Sequence, residues 1–223
     1  MNIETSLSSR VRSKLGLAYL IENGLVRVNG RVVEDSTMVA DGTDVVEIED
    51  ADPKLRLDAP DSYWRARVIQ ETVGFVSLGD SVLHIETRDG GFPMLVRDYS
   101  GQPFVVTSKR PPIEGTVIGT NPFSIKPGEV QAATRARVDV MVQELELDAI
   151  RCFQAVERLL PALRSRGKMM LFLPMQGRDA ESLEEMARRF LGDMSVDVSH
   201  TFKFSEGIYV YGIRVTDVHR ALT

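Results

Sequence analysis

SVLHIETRDGGF, residues 81–92, is a short apolar run that stops at a Gly-Gly pair and leads into a helix-compatible segment. It reads as the first strand and turn of an open α/β domain. In such domains the loop after the first parallel strand is where ligands bind, because backbone N–H groups at the next helix's start point out of the sheet's carboxyl edge. Gly90 and Gly91 suit a close approach between backbone and ligand, whereas Glu86 and Arg88 stand on the strand side of the turn.

The segments around this stretch alternate. Residues 62–75 suit a helix carrying Trp64, Val68 and Val73 with Arg65 and Arg67 interleaved, and residues 93–99 suit another. Strands are expected at 103–107, briefly at 117–118, and at 138–142, with a helix at 129–137. Residues 148–166 place Ile150, Phe153, Val156, Leu159, Leu160 and Leu163 on one stripe, an amphipathic helix closed by Gly167. A buried-type strand at 168–173, a helix at 179–191 capped by Asp179 and ended by Gly192, and strands at 195–198 and 208–215 complete the pattern. Alternation of this kind predicts an α/β domain with a mainly parallel sheet covered on both faces.

Upstream the character changes. Residues 8–23 form a rough helical stripe through Val11, Leu15, Leu17, Ala18 and Ile21 and stop at Asn23-Gly24. The period then becomes two: Asn29-Gly30 between β-branched runs is a hairpin signal, and a second extended run, 44–49, follows Asp41-Gly42. The polar, proline-punctuated segment with Asp52-Pro53 and Ala59-Pro60 is the expected boundary, giving a module at 1–50, a linker at 51–61 and a larger domain at 62–223.

Charge is uneven along a chain of net charge −5. Arg10, Arg12, Lys14, Arg27 and Arg31 face only Glu22 between residues 8 and 31, while residues 32–50 are acidic. Guanidinium groups on a helix and an adjoining hairpin suit phosphate contacts on shaped RNA. The overall negative charge argues against indiscriminate coating of nucleic acid, and DNA is not an expected partner. The single Cys152 excludes an internal disulfide and fits a reducing cytoplasm, with core packing as its role. No run approaches the roughly 18 apolar residues that a bilayer span needs, and no signal peptide is read. His84, His200 and His219 lack ligand spacing, so no metal site is expected.

The string IENGLVRVNGRVVEDSTMVADGTDVVEI, 21–48, resembles the S4 RNA-binding domain, a compact α+β module whose basic helix and hairpin face structured RNA. That resemblance implies RNA contacts from Arg10, Arg12, Lys14, Arg27, Asn29 and Arg31, ribosomal RNA being the suspected partner. The chain departs from the family in its short first helix, since only residues 1–7 precede Ser8.

Four further strings, LGDSVLHIETRDGGF, PFVVTSKRPPIEG, RGKMMLFLPMQG and SEGIYVYGIRV, resemble in order and spacing the FtsJ-type ribose methyltransferases. With an S4 module in front, the architecture is similar to the TlyA (hemolysin A) family. The resemblance implies a Rossmann-like methyltransferase fold and an S-adenosylmethionine site at Glu86, Gly90, Gly91 and Ser108. It also marks what is missing. The family's first acid and glycine are His84 and Glu86 here, its ribose-binding acid falls at about Ser108, and its adenine contact falls at about Pro122. The catalytic Lys-Asp-Lys-Glu set falls near Arg65, Glu144, Leu173 and Glu206. Arginine stays protonated and leucine has no proton chemistry, so the base is absent. The expectation is an RNA-binding protein with a non-catalytic methyltransferase-fold domain and no cofactor. An active methyltransferase with a rearranged site and a protein-interaction subunit are the alternatives.

Overall fold

The computed structural model describes residues 3, 7, 10–35, 44–49, 55–108 and 114–215. The Asp41-Gly42 turn, Asp52-Pro53 and His219 lie outside them. The chain forms two compact units, Met1–Val68 and Ile69–Thr223.

In the first unit, helix α1 (Lys14–Glu22) begins where Ser13 caps it: Ser13 Oγ accepts from the Gly16 amide at 2.9 Å. The helix therefore starts at Lys14 rather than at residue 8. Strands β1 (Val26–Val28), β2 (Arg31–Val32) and β3 (Val46–Ile48) form an antiparallel sheet in the order β2-β1-β3. Asn29 and Gly30 take φ of 50° and 78°, the paired positive values that a two-residue hairpin turn requires. Helix α2 (Asp61–Val73) runs across the boundary between the units. In its first-unit part, Trp64 is buried against Tyr19, with ring centroids 5.3 Å apart.

The second unit holds a seven-stranded sheet. Its strands are β4 (Ser81–Ile85), β5 (Gln102–Val106), β6 (Thr116–Gly119), β7 (Val138–Gln143), β8 (Leu163–Pro174), β9 (Val196–Phe204) and β10 (Gly207–Arg214). They lie in the order β6-β5-β4-β7-β8-β10-β9. The first five are mutually parallel, and β10 runs antiparallel to both neighbours. Helices α3 (Gly91–Asp98), α4 (Pro127–Thr134), α5 (Ala149–Leu159) and α6 (Ala180–Asp193) complete a Rossmann-like α/β fold with a mostly parallel sheet.

Alternation along β4 sorts the two faces. Leu83 and Ile85 join Met141, Leu171 and Leu173 in a core closed by Phe153 and Val156 of α5 and by Leu183 and Leu191 of α6. The rings of Phe75, Phe92, Tyr209 and Phe172 form a chain in which successive centroids lie 5.8, 5.4 and 4.9 Å apart.

Several element bounds differ from expectation. The amphipathic helix ends at Leu159, because Pro161 has no N–H to donate back along the helix and tightens the chain into a 3-10 turn over Leu160–Ala162. Leu163 consequently opens β8, and Ile150, expected on the inner face, is 60% exposed. The strand expected at 195–198 extends to Phe204.

Candidate functional site

The carboxyl ends of β4, β5, β6 and β7 border a cleft of about 460 Å³ lined by Glu86, Ser108, residues 120–123 and residues 145–147. It lies where the sheet order turns outward on both sides of β4, the position at which open α/β sheets hold ligands. Glu86 immediately follows β4 and is 4% exposed, with φ of 61°. A side chain in that conformation is uncommon, since L-residues crowd their own carbonyl there. Three donors hold its carboxylate: the Thr107 hydroxyl, the Ser108 hydroxyl at 2.8 Å and the Ser108 amide at 3.2 Å. Glu86 thus ties the end of β4 to the end of β5.

The Gly-Gly turn is differently placed. Gly90, with φ of 88°, is the N-cap of α3, and Gly91 is its first residue. Both are buried, and neither lines the cleft. Their amides are engaged internally: Gly90 N–H donates to Thr87 Oγ1 at 3.0 Å and Gly91 N–H to Asp89 Oδ1 at 3.1 Å. The anion-binding potential of this helix start is therefore directed at the loop's own side chains.

Arg88 bridges three segments of the same edge. Its Nε donates to Glu146 and its Nη1 to Glu206, each at 3.0 Å, while the guanidinium lies 4.9 Å from the centre of the Phe172 ring. Burial alone would pull its pKa down, but Tyr209, Glu206 and Glu146 outweigh that and raise it. Tyr209 also donates to Glu144, whose side chain is fully buried at the end of β7.

The residues aligned with the catalytic set are thus placed as follows. Glu144 and Glu206 are linked through Tyr209 and Arg88. Leu173 is buried in the core, and Lys168 points to the strand's start, donating to the Gly74 carbonyl at 2.9 Å. Arg65 belongs to the first unit, where it pairs with Asp61 at 3.9 Å.

Asn121 and Phe123, which the sequence did not mark, follow β6 in the cleft lining, and Glu146, legible only as a neighbour of Glu144 after a strand, follows β7. Their place at carboxyl strand ends was the available signal. Asn121 Oδ1 accepts from the Phe123 amide at 2.8 Å and sets the turn that presents the ring. His84, one residue before the end of β4, is fully buried, and neither ring nitrogen has a hydrogen-bond partner among the described residues. Burial pushes its pKa down to about 3. No group of three or more metal-ligating side chains occurs among the described residues, and no helix among them is long and apolar enough to cross a membrane.

In the first unit, Arg12, Lys14 and Arg31 are exposed and have no ion pair among the described residues. Arg27 is committed to Glu49 through Nε at 3.0 Å and Nη2 at 2.8 Å, and Arg10 reaches the Val46 carbonyl at 3.4 Å. Asn29 serves the hairpin: its Oδ1 accepts from the Val45 amide at 3.0 Å and its Nδ2 donates to Asp44 at 2.7 Å.

No family model and no curated protein sequence matches the chain. Solved structures do resemble it. A protein from Streptococcus thermophilus assigned as a hemolysin superposes with a TM-score of 0.59 at 10% identity, over 99% of this chain and 92% of that one. A Lactococcus lactis protein with the same assignment gives 0.57 at 10% identity, over 70% and 88%. A Plasmodium falciparum protein assigned as a ribosomal RNA methyltransferase gives 0.53 at 9% identity, over 70% and 97%. At these identities the likeness is one of fold.

Proposed function

We propose that this chain is an RNA-binding protein, with ribosomal RNA as its target, whose methyltransferase-fold unit neither holds S-adenosylmethionine nor transfers a methyl group. The observation that carries the reading is Glu86. Its buried carboxylate follows β4 at a positive φ that glycine adopts most cheaply, and it lines the cleft. A cofactor bearing its own carboxylate meets like charge there. Ser108 already donates its hydroxyl to Glu86, and Pro122 has no side-chain hydrogen bond to give. The residues present do not fit the cofactor. The proton chemistry is absent as well: Leu173 lies in the core, and Glu144 and Glu206 are tied through Tyr209 and Arg88.

RNA is supported by the S4-like pattern, by exposed Arg12 just before α1, Lys14 on it and Arg31 on the hairpin, and by the fold shared with a protein assigned as a ribosomal RNA methyltransferase. Neutral-pH phosphate contacts need only such permanently charged groups.

Calorimetry with S-adenosylmethionine tests the first half, and anisotropy with labelled ribosomal RNA fragments tests the second. The expected results are no cofactor heat at millimolar ligand and salt-dependent RNA binding. Replacing Arg12, Lys14 and Arg31 by Gln weakens that binding and lowers its salt slope by about two to three. Micromolar cofactor binding would overturn the non-catalytic reading. The double variant Glu86→Gly with Ser108→Asp is expected to regain measurable cofactor affinity.

A further inference from the structure

The sheet edge opposite the cleft carries a second concentration of positive charge. Residues 135–137 and 164–168 contain Arg135, Arg137, Arg164, Arg166 and Lys168 and no acid, within a chain that carries 32 acids against 27 bases. Strand pairing brings the two segments together, because Val138 is in register with Leu163 and Val140 with Lys168. The four intervening β8 residues therefore bulge opposite Asp139 alone. Such a bulge re-aims side chains, and this one turns at Arg166, whose φ is 59°. Gly167 makes it possible, as a Cβ there would lie 2.6 Å from Leu163 Cδ1 and 2.8 Å from the Arg164 carbonyl.

The local acid is used up. Asp139 pairs with Arg164 at 2.8 Å and accepts from the Ser81 amide and hydroxyl at 2.8 and 2.9 Å. Asp80 accepts from the Ser77 amide at 2.8 Å, and Lys168 is held on the Gly74 carbonyl. Arg135, Arg137 and Arg166 are left exposed with no ion pair among the described residues.

We propose that this amino-terminal edge of the sheet is a second phosphate-contacting surface, through which the methyltransferase-fold unit itself grips RNA. The inference rests on the RNA-binding reading above and adds to it a surface within the second unit, on the far edge of the sheet from the cleft. Four of its five cations are arginines, whose planar forks match phosphate oxygens in pairs. A lipid surface is the poorer match, since the intervening residues Ala136, Ser165 and Gly167 offer no large apolar side chain for insertion.

The test uses the full chain with Arg135, Arg137 and Arg166 all replaced by Gln, exposed changes that leave the melting temperature in place. Anisotropy with labelled ribosomal RNA fragments is measured from about 50 to 200 mM salt. The expected result is a loss of about tenfold in affinity and a fall of about two to three in the log–log salt slope. Unchanged affinity and slope, with binding still weakened in the Arg12, Lys14 and Arg31 variant, would overturn this surface while leaving the RNA reading intact. Failure of the unmodified chain to bind RNA removes both. Loss of binding to phosphatidylserine vesicles in the triple variant, with RNA affinity unaffected, would assign the edge to a membrane and likewise overturn the proposal.

Discussion

The Tyr209 hydroxyl donates to Glu144 Oε1 at 3.0 Å across 65 residues of sequence, joining the final strand to the end of β7 inside the protein. Glu144 has no exposed surface, so this bond offsets part of the desolvation of a buried carboxyl. Tyr209→Phe removes the donor while keeping the ring that stacks on Phe92. The expected cost is about 1–3 kcal/mol, read as a lower urea midpoint. Adding Glu144→Leu to Tyr209→Phe recovers part of it, because an apolar partner needs no donor.

A glycine in a helix interior ordinarily costs about 1 kcal/mol relative to alanine. Gly16 is expected to reverse that sign. A Cβ there would stand 2.4 Å from two atoms of the Trp64 indole, which is buried. Gly16→Ala should destabilise the first unit by about 1–3 kcal/mol through overpacking. Greater stability of this variant in urea would contradict the packing of Trp64 on α1.

His84 predicts a pH dependence. Its folded pKa is depressed to about 3 from an ordinary 6.5. Below pH 6.5 the unfolded chain takes up a proton that the folded chain refuses, so stability falls as pH drops toward 3, by up to roughly 5 kcal/mol. His84→Leu should flatten that part of the curve, whereas stability above pH 7 changes little. Urea midpoints for the two proteins between pH 4 and 8 that remained parallel would refute the sealed imidazole.

At Glu86 two effects oppose each other. Replacement by glycine relieves a positive φ worth about 1–2 kcal/mol. It also deletes three hydrogen bonds to a charged acceptor and leaves the buried Thr107 hydroxyl without it, at about 1.5–3 kcal/mol per bond. The bonds win. Glu86→Gly is expected to unfold at lower urea, and a stabilised variant would mean that strain dominates this turn.

The elements readable in the sequence were those whose burial is uniform. Strands β4, β7 and the inner part of β8 are mainly apolar and buried, and the Asn29-Gly30 turn is dictated by backbone sterics. Strand β9 is legible only at its start because it is an outer strand on which residues such as His200 and Lys203 are exposed and polar. Apolar periodicity runs on toward Gly167, but Pro161 ends the helix at Leu159. The site was harder still. Glu86 and Ser108 were legible as departures from a pattern, but the Arg88 bridge to Glu206 joins residues 118 apart, and no local period encodes such a pair. Gly90 and Gly91 suit a ligand-facing turn by residue type alone. Their amides instead close the loop on Thr87 and Asp89.

The sheet order also sets a timetable for synthesis. Strand β4 gains its first partner, β5, soon after it emerges, yet its other edge belongs to β7, as the Ser81 to Asp139 bond across 58 residues marks. At about 5–20 residues per second the nascent chain carries that apolar edge unpaired for several seconds. Slowing translation between residues 85 and 138 prolongs this interval, making the ribosome-bound chain the form most open to capture by chaperones.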